Sequence, residues 1–308
     1  MAIMMILGPT AVGKTEILLA ISERLPIEVV SVDSRQIYRH MDIGTAKPSK
    51  EEREKLPHHL IDIVDPDESY DAYRFSKDAK KVITNVVARG KIPVLAGGTG
   101  LYADALLRGF VEGAPRNEVV RNALKTIEEN APGSLRRILE RVDQVAYEKI
   151  HPNDLKRTIR YLEVFFTTGT SLSSIQKNSD ISGEYAVIIL NRGRLSLHRR
   201  IETRVDKMIE AGLVDETKKL LDMGFTEDLN ALQTIGYAEL IKYIKGTCSL
   251  ERAVELIKRN TRRYARRQII WFRRYRGVCW LDLEELGFKN AVDIISKKII
   301  LAWGGKSG

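Results

Sequence analysis

The chain opens with five apolar residues in a row, Ile3-Met4-Met5-Ile6-Leu7, and helical spacing follows over residues 16–25. Short apolar runs recur at residues 27–32 (Ile-Glu-Val-Val-Ser-Val), 92–96 (Ile-Pro-Val-Leu-Ala) and 185–190 (Tyr-Ala-Val-Ile-Ile-Leu). Runs of this length bounded by turn residues predict buried strands. Helical patterns separate them at 75–89, stopped by Gly90, and at 101–107. That alternation predicts an α/β fold, a parallel sheet with helices on both faces. From Pro115 to Gly169 the pattern is helix only, over 117–129, 134–142 and 154–166, punctuated by Pro132-Gly133 and His151-Pro152. The block interrupts the strand series. It reads as an inserted all-helical domain over 116–184, with the sheet core built from 1–115 and 185–308. Residues 195–276 are expected to be helical and 278–281 to form a last strand.

Gly8-Pro9-Thr10-Ala11-Val12-Gly13-Lys14-Thr15 follows the first apolar run and precedes a helical pattern. This is a G-x-x-x-x-G-K-[ST] phosphate loop in its required strand–loop–helix setting. Its glycines let backbone N–H groups converge at the positive end of a helix. Lys14 adds a cation, and the Thr15 hydroxyl is placed to ligate Mg²⁺. Asp33-Ser34 and Gly97-Gly98-Thr99 end the next two strands, at the carboxyl edge where ligands bind in such sheets. Asp33, after four buried residues, suits either a Mg²⁺ ligand of an ATP-dependent kinase or a general base. Spacing alone leaves both open.

Composition adds limits. With 44% hydrophobic and 30% charged residues, the 308-residue chain is ordinary globular protein. The first apolar run is too short for a membrane span or a signal-peptide core, so no membrane attachment is expected. Cys248 and Cys279 are the only cysteines and show no C-x-x-C spacing; a reducing cytoplasm is the simplest compartment. A monomer is expected. The formal net charge of +9 is concentrated: no acid lies between Glu255 and Asp282, while Lys258, Arg259, Arg262, Arg263, Arg266, Arg267, Arg273, Arg274 and Arg276 do. Val254, Ile257, Tyr264, Trp271 and Tyr275 are spaced for one helical face, leaving an arginine-rich face with Phe272 interleaved. Arginine suits phosphate contacts and aromatic rings stack on unpaired bases, which points to nucleic acid.

These motifs sit in a longer constellation. Ser31-Val-Asp33-Ser34 leads into Ile37-Tyr38-x-x-Met41-Asp-Ile-Gly44-Thr-Ala-Lys47-Pro48. Then come His58-His59-Leu-Ile-Asp62, Gly97-Gly98-Thr99-Gly-Leu-Tyr102, His151-Pro-Asn-Asp154, Arg160-x-Leu-Glu163-Val, Ile235-Gly236-Tyr237 and Arg267-Gln268-x-x-Trp271-Phe-Arg273. In this order, over nearly the whole chain, they resemble the tRNA dimethylallyltransferase family. The resemblance implies a P-loop kinase-like core that hydrolyses no ATP. It implies transfer of a dimethylallyl group from dimethylallyl diphosphate to the exocyclic amine of the adenosine immediately 3′ of the tRNA anticodon. Asp33 would then be the general base, Thr99 would hold the reacting centre, and Arg121 would contact the substrates. The phosphate loop and Thr15-bound Mg²⁺ would stabilise the leaving diphosphate. For tRNA the resemblance points to Asp33, Ser34, Arg35 and Gln36, and to Lys156, Arg157, Thr158, Ile159 and Arg160. It points also to Gln233, Thr234, Ile235, Gly236 and Tyr237, and to Arg266, Arg267, Gln268, Trp271 and Arg273. The inserted block would clasp the anticodon stem-loop around a flipped base. Gln233 and Ala238 stand where some family members carry Arg.

Other readings compete for some residues. Prenyl transfer to free adenine nucleotides, a small-molecule kinase and a non-catalytic RNA-binding module all use a phosphate loop; the long basic stretch and the Asp33 cleft favour the tRNA enzyme. His58 and His59 are expected to serve structural hydrogen bonds and His151 a turn. Trp271 is equally suited to a core, and Asp62, Asp65 and Asp67 are expected to form a solvated loop.

Overall fold

A computed structural model describes residues 2–109, 116–176 and 183–304. In chain order the first elements are β1 (Ile3–Leu7), α1 (Lys14–Ser22), β2 (Ile27–Val32), α2 (Lys50–Lys55), β3 (His58–His59), α3 (Ala72–Ala88), β4 (Ile92–Gly97) and α4 (Gly100–Leu107). Next come α5 (Glu118–Asn130), α6 (Ser134–Val142), α7 (Gln144–Lys149), α8 (Leu155–Thr168) and α9 (Leu172–Gln176). The chain continues through β5 (Tyr185–Asn191), α10 (Arg194–Glu210), α11 (Leu213–Asp222), α12 (Tyr237–Ile244) and α13 (Leu250–Phe272). It ends in β6 (Cys279–Asp282), α14 (Leu283–Leu286) and α15 (Phe288–Gly304).

The strands form one parallel sheet in the order β3-β2-β4-β1-β5-β6. Every residue of β2 and β4 is buried, as a parallel sheet covered on both faces requires. On one face Met4, Ile6, Val29, Val94 and Ile188 pack with Ile17, Leu18 and Ile21 of α1 and Val292, Ile295 and Ile299 of α15. Each such side chain contributes roughly 1.5–3 kcal/mol by leaving water. On the other, α3 buries Phe75, Ala79, Ile83 and Val86, and the Phe75 ring stacks on Tyr102 at 4.2 Å. The one acid inside β2, Glu28, is only 7% exposed and is met by Arg89 and by His59 Nε2 at 2.6 Å. His58 Nδ1 lies 2.7 Å from the Leu56 carbonyl. Both histidines therefore serve hydrogen bonds at the β3 edge. His151 Nδ1 accepts the Asn153 N–H in the turn before α8.

Residues 106–182 form a compact unit of their own, beginning at Leu106 where the pattern suggested 116. Its core holds Leu124, Leu135, Leu139, Ala146, Ile150, Ile159 and Leu162.

Several elements escaped the hydrophobic pattern. Helix α2 is wholly polar and forms on a capping box, Ser49 accepting from Glu52 N–H while the Glu52 carboxylate takes the Ser49 N–H. Helix α7 is capped by Asp143, which also accepts the Ser173 N–H in the first turn of α9. The expected helical stretch over 195–276 consists of four helices, separated at Gly212, over 223–236 and at 245–249. Helix α15 follows the last strand and completes one face of the sheet.

Candidate active site

Three strand ends meet at the carboxyl edge of the sheet and are tied together by backbone. Gly8 N–H donates to the Gly97 carbonyl at 3.2 Å. Gly98 and Thr99 N–H both donate to the Val32 carbonyl, at 3.2 and 3.1 Å. The phosphate loop, the Asp33 turn and the Gly97–Thr99 turn therefore form one assembly. They open on a cavity of about 790 Å³ lined by residues 10–16, 33–36, 44–48 and 233–236, by Gly98, and by side chains of α10 and α13.

The phosphate loop has Ala11 at φ 63° and Gly13 at φ 112°, the alternation that turns successive amides to one side ahead of α1. Two peptide planes are pinned by arginines: Arg192 Nε donates to Val12 O and Arg200 Nε to Ala11 O, each at 2.8 Å. Arg200 also pairs with Glu16 at 2.6 Å. Lys14 Nζ folds back onto the Gly8 and Pro9 carbonyls at 2.8 and 2.9 Å. The residue is half-buried at the cavity wall, and desolvation pulls its pKa down to about 7; Asp33 opposes the shift and Arg204 adds to it. Desolvation likewise lowers Arg204, with Asp33 opposing. The cradle gathers Lys14, Arg192, Arg200 and Arg204 around backbone amides, which suits a diphosphate.

Asp33 faces this cradle. Its Oδ1 accepts the Arg35 N–H at 2.8 Å and the Gln36 N–H at 3.3 Å, so its own turn fixes the carboxylate. Ser34 N–H donates to Thr99 Oγ1 at 3.0 Å, and the Thr99 hydroxyl donates to Ser34 Oγ at 3.3 Å. The Tyr264 hydroxyl reaches Thr99, and burial, with Asp33 close by, pushes that phenol up to about 12. Arg35 itself turns outward to the Asn230 carbonyl.

The opposite wall is the 41–48 segment, held from below. Glu216 of α11 accepts the N–H groups of Asp42, Ile43 and Gly44 at 2.9–3.1 Å and the Tyr237 hydroxyl at 2.6 Å. The Tyr237 ring occupies the space of a Gly44 side chain, whose Cβ would lie 2.4 Å from it. Gln36 Nε2 donates to the Thr45 and Ala46 carbonyls. Lys47, its side chain 1% exposed, is clasped by Asp42, Asp62 and the Tyr38 carbonyl. Asp62, expected in a solvated loop, instead binds Lys47 and Arg53. Burial alone would raise its carboxyl, and these two cations bring it below its usual value.

The expected tRNA-facing residues divide by burial. Arg266 and Arg273 are exposed, and Arg267 and Gln233 are exposed at the cavity. Tyr237 is fully buried, Thr234 is 8% exposed and Gln268 6%. Thr158 and Ile159 face the core of the helical unit, at 2 and 6%. These side chains are packed inside the protein, with Thr234 and Gln268 at the cavity wall. Trp271 donates to Asp104 Oδ2 at 3.1 Å, with the Arg274 guanidinium 4.0 Å over its ring. Within the helical unit Arg121 holds Glu163 by two bonds of 2.8 and 3.0 Å, and Arg160 adds a third of 2.7 Å. Lys156 and Arg157 are exposed on the same helix. Burial disfavours the Glu163 charge, but the two guanidiniums and the Asn117 N–H hold its carboxyl below the usual range.

A family model described as IPP transferase matches residues 36–275. The chain belongs to the IPP transferase family. It is 59% identical to the tRNA dimethylallyltransferase of Kosmotoga olearia, over all of both chains. To that of Thermotoga maritima it is 53% identical, covering 93% of this chain and 95% of the relative. The solved tRNA isopentenylpyrophosphate transferase of Bacillus halodurans superposes with a TM-score of 0.71 at 39% identity, covering 98% of each chain. A eukaryotic dimethylallyltransferase acting on tRNA gives 0.83 at 29% identity, covering 96% of this chain and 80% of that one.

For this IPP transferase the cleft also holds Arg192, Arg200 and Arg204, which the sequence pattern did not single out, and Tyr264, which it placed on a docking face. Arg200, Arg204 and Lys207 recur on one side of α10, beside the buried stripe Leu197-Ile201-Val205. That spacing was the available signal.

Proposed function

We propose that the chain transfers the dimethylallyl group of dimethylallyl diphosphate to the N6 amine of the adenosine immediately 3′ of the anticodon in tRNA, as a monomer in the cytoplasm. The observation that carries this reading is the placement of Asp33 and an arginine-pinned phosphate loop in one cavity. The amine attacks the allylic carbon, a C–N bond forms, and the C–O bond to diphosphate breaks with its electron pair leaving on oxygen. The amine proton passes to Asp33, whose carboxylate is held for this by the Arg35 and Gln36 amides. Loop amides, Lys14 and Arg204 meet the charge that grows on the departing oxygen.

Thr15 offers a hydroxyl to the cavity at the start of α1. Such a hard oxygen donor beside a diphosphate fits Mg²⁺, which takes few protein ligands and completes its shell with phosphate oxygens and water. Bound there, Mg²⁺ would add positive charge to the leaving group. Exposed Arg266, Arg267 and Arg273 suit the tRNA backbone, and we assign the helical unit, with Arg121, Lys156, Arg157 and Arg160, to the anticodon stem-loop.

The test is transfer of label from dimethylallyl diphosphate to unmodified tRNA with Mg²⁺ and without ATP, followed by nucleoside digestion. Label on the adenosine beside the anticodon is expected. Label on added AMP alone, or on no acceptor, overturns the reading.

A further inference from the structure

Gln268 lies within the arginine run of α13 but takes no part in its exposed face. It is 6% exposed and aimed inward. Its Oε1 accepts the Thr10 N–H at 2.9 Å, and its Nε2 donates to the Gly98 carbonyl at 2.8 Å. One planar amide therefore spans the two halves of the cleft: Thr10 in the phosphate loop that grips the donor, and Gly98 beside Thr99 on the acceptor side. The approach leaves no room for a side chain at position 98, since a Cβ there would lie 2.2 Å from Gln268 Nε2. Further along, Trp271 of α13 and Tyr275 in the turn after it both bind Asp104. The helix thus rides on the segment that starts at Gly98.

We infer that Gln268 is a positioning residue that sets the distance between the donor-gripping loop and the acceptor turn, so that the amine and the allylic carbon meet in register. The inference rests on the transfer reading above. Only a group that donates and accepts at once can make this bridge. An ionised carboxylate accepts at both oxygens and a hydrocarbon does neither. Each half of the cleft is built from its own strand end and keeps its own ligand contacts. Loss of the bridge therefore misaligns two bound substrates rather than preventing either from binding.

Two variants test this. Gln268→Leu fills the volume and removes both bonds; kcat should fall about 10- to 100-fold, as expected for small misalignments, with both KM values within about threefold. Gln268→Glu restores one acceptor and, only when protonated, one donor. Burial raises a carboxyl pKa, so at saturating substrates its turnover relative to wild type should climb at least about fivefold from pH ~8.5 to pH ~6, reversibly. A space-filling role gives no such profile. The inference is overturned by a flat Gln268→Glu ratio, by wild-type turnover in Gln268→Leu, or by a loss confined to KM. Should the Leu variant fail to fold, the reversible profile of the Glu variant decides alone. Wild-type protein without transfer would overturn the functional reading instead, and so the two failures are told apart.

Discussion

At the scale of single residues, the cleft assigns different electrostatic tasks to Asp33 and Lys14. Asp33 is anchored by its own turn, and Asn can keep that anchor while losing the base. Asp33→Asn should lower turnover at least about 100-fold while tRNA affinity changes less than about threefold; filter binding beside a single-turnover assay checks this. Affinity that falls in step with turnover would make Asp33 a recognition group. Lys14, pulled down to about 7, is largely neutral in the free cleft at slightly alkaline pH. A diphosphate favours the charged amine, so binding raises the pKa and takes up a proton between the lowered and the ordinary value. Donor affinity should therefore weaken as pH rises through this window. Calorimetry of inorganic diphosphate near pH ~8, in buffers of different ionisation enthalpy, should show uptake that Lys14→Met abolishes. Equal heats in all buffers would mean Lys14 is already charged. Asp33, Thr99 and the phosphate loop were legible because each sits where a strand run meets a turn. Gln268 was expected to face tRNA, because a polar residue amid arginines reads as surface, and its bonds to Thr10 and Gly98 carry no local signal.

The helices show what periodicity conveys and what it omits. The expected docking face of α13 was Val254, Ile257, Tyr264, Trp271 and Tyr275. The buried line is Ala253, Ile257, Ala265, Gln268 and Phe272, with Tyr264 and Trp271 on its flank. Alanines and a satisfied amide carry little hydrophobic signal, whereas rings whose polar tips reach Thr99 and Asp104 carry a large one. Two of the basic residues also serve structure, Lys258 pairing with Asp206 and Arg262 with Glu202 of α10. Helix α11 acts on the cleft at second hand, through the three amides and one hydroxyl that converge on Glu216. Glu216→Ala strands those donors and should cost about 3 kcal/mol in urea unfolding. It should also slow transfer, because the 42–46 wall loses its support. A variant with unchanged stability would show that water replaces the carboxylate without penalty.

For the whole molecule, the sheet order places β1 between β4 and β5, with the helical unit inserted between those two strands in the chain. The class of fold was legible as an alternation of short apolar runs and helical spacing. The strand order was not, since parallel neighbours are set by crossovers rather than by local pattern. Thr10 meets Gln268 across 258 positions of chain, and Ala2 N–H donates to the Ala302 carbonyl at 2.7 Å. Helix α15 lies on β1 and α1, burying Ile295 and Ile299 against Met4, Ile6 and Ile17. A chain stopped after Leu286 should bind a hydrophobic dye and lose its grip on diphosphate; tight diphosphate binding by that fragment would count against the expectation. That arrangement has a meaning for how the catalyst is assembled. The phosphate loop is braced by Gln268 and its strand is covered by α15, and both follow the helical unit in the chain. The loop can curl at the head of its own helix, but the donor site is finished only when those distant elements fold back onto it, which makes a local-looking motif a product of long-range assembly.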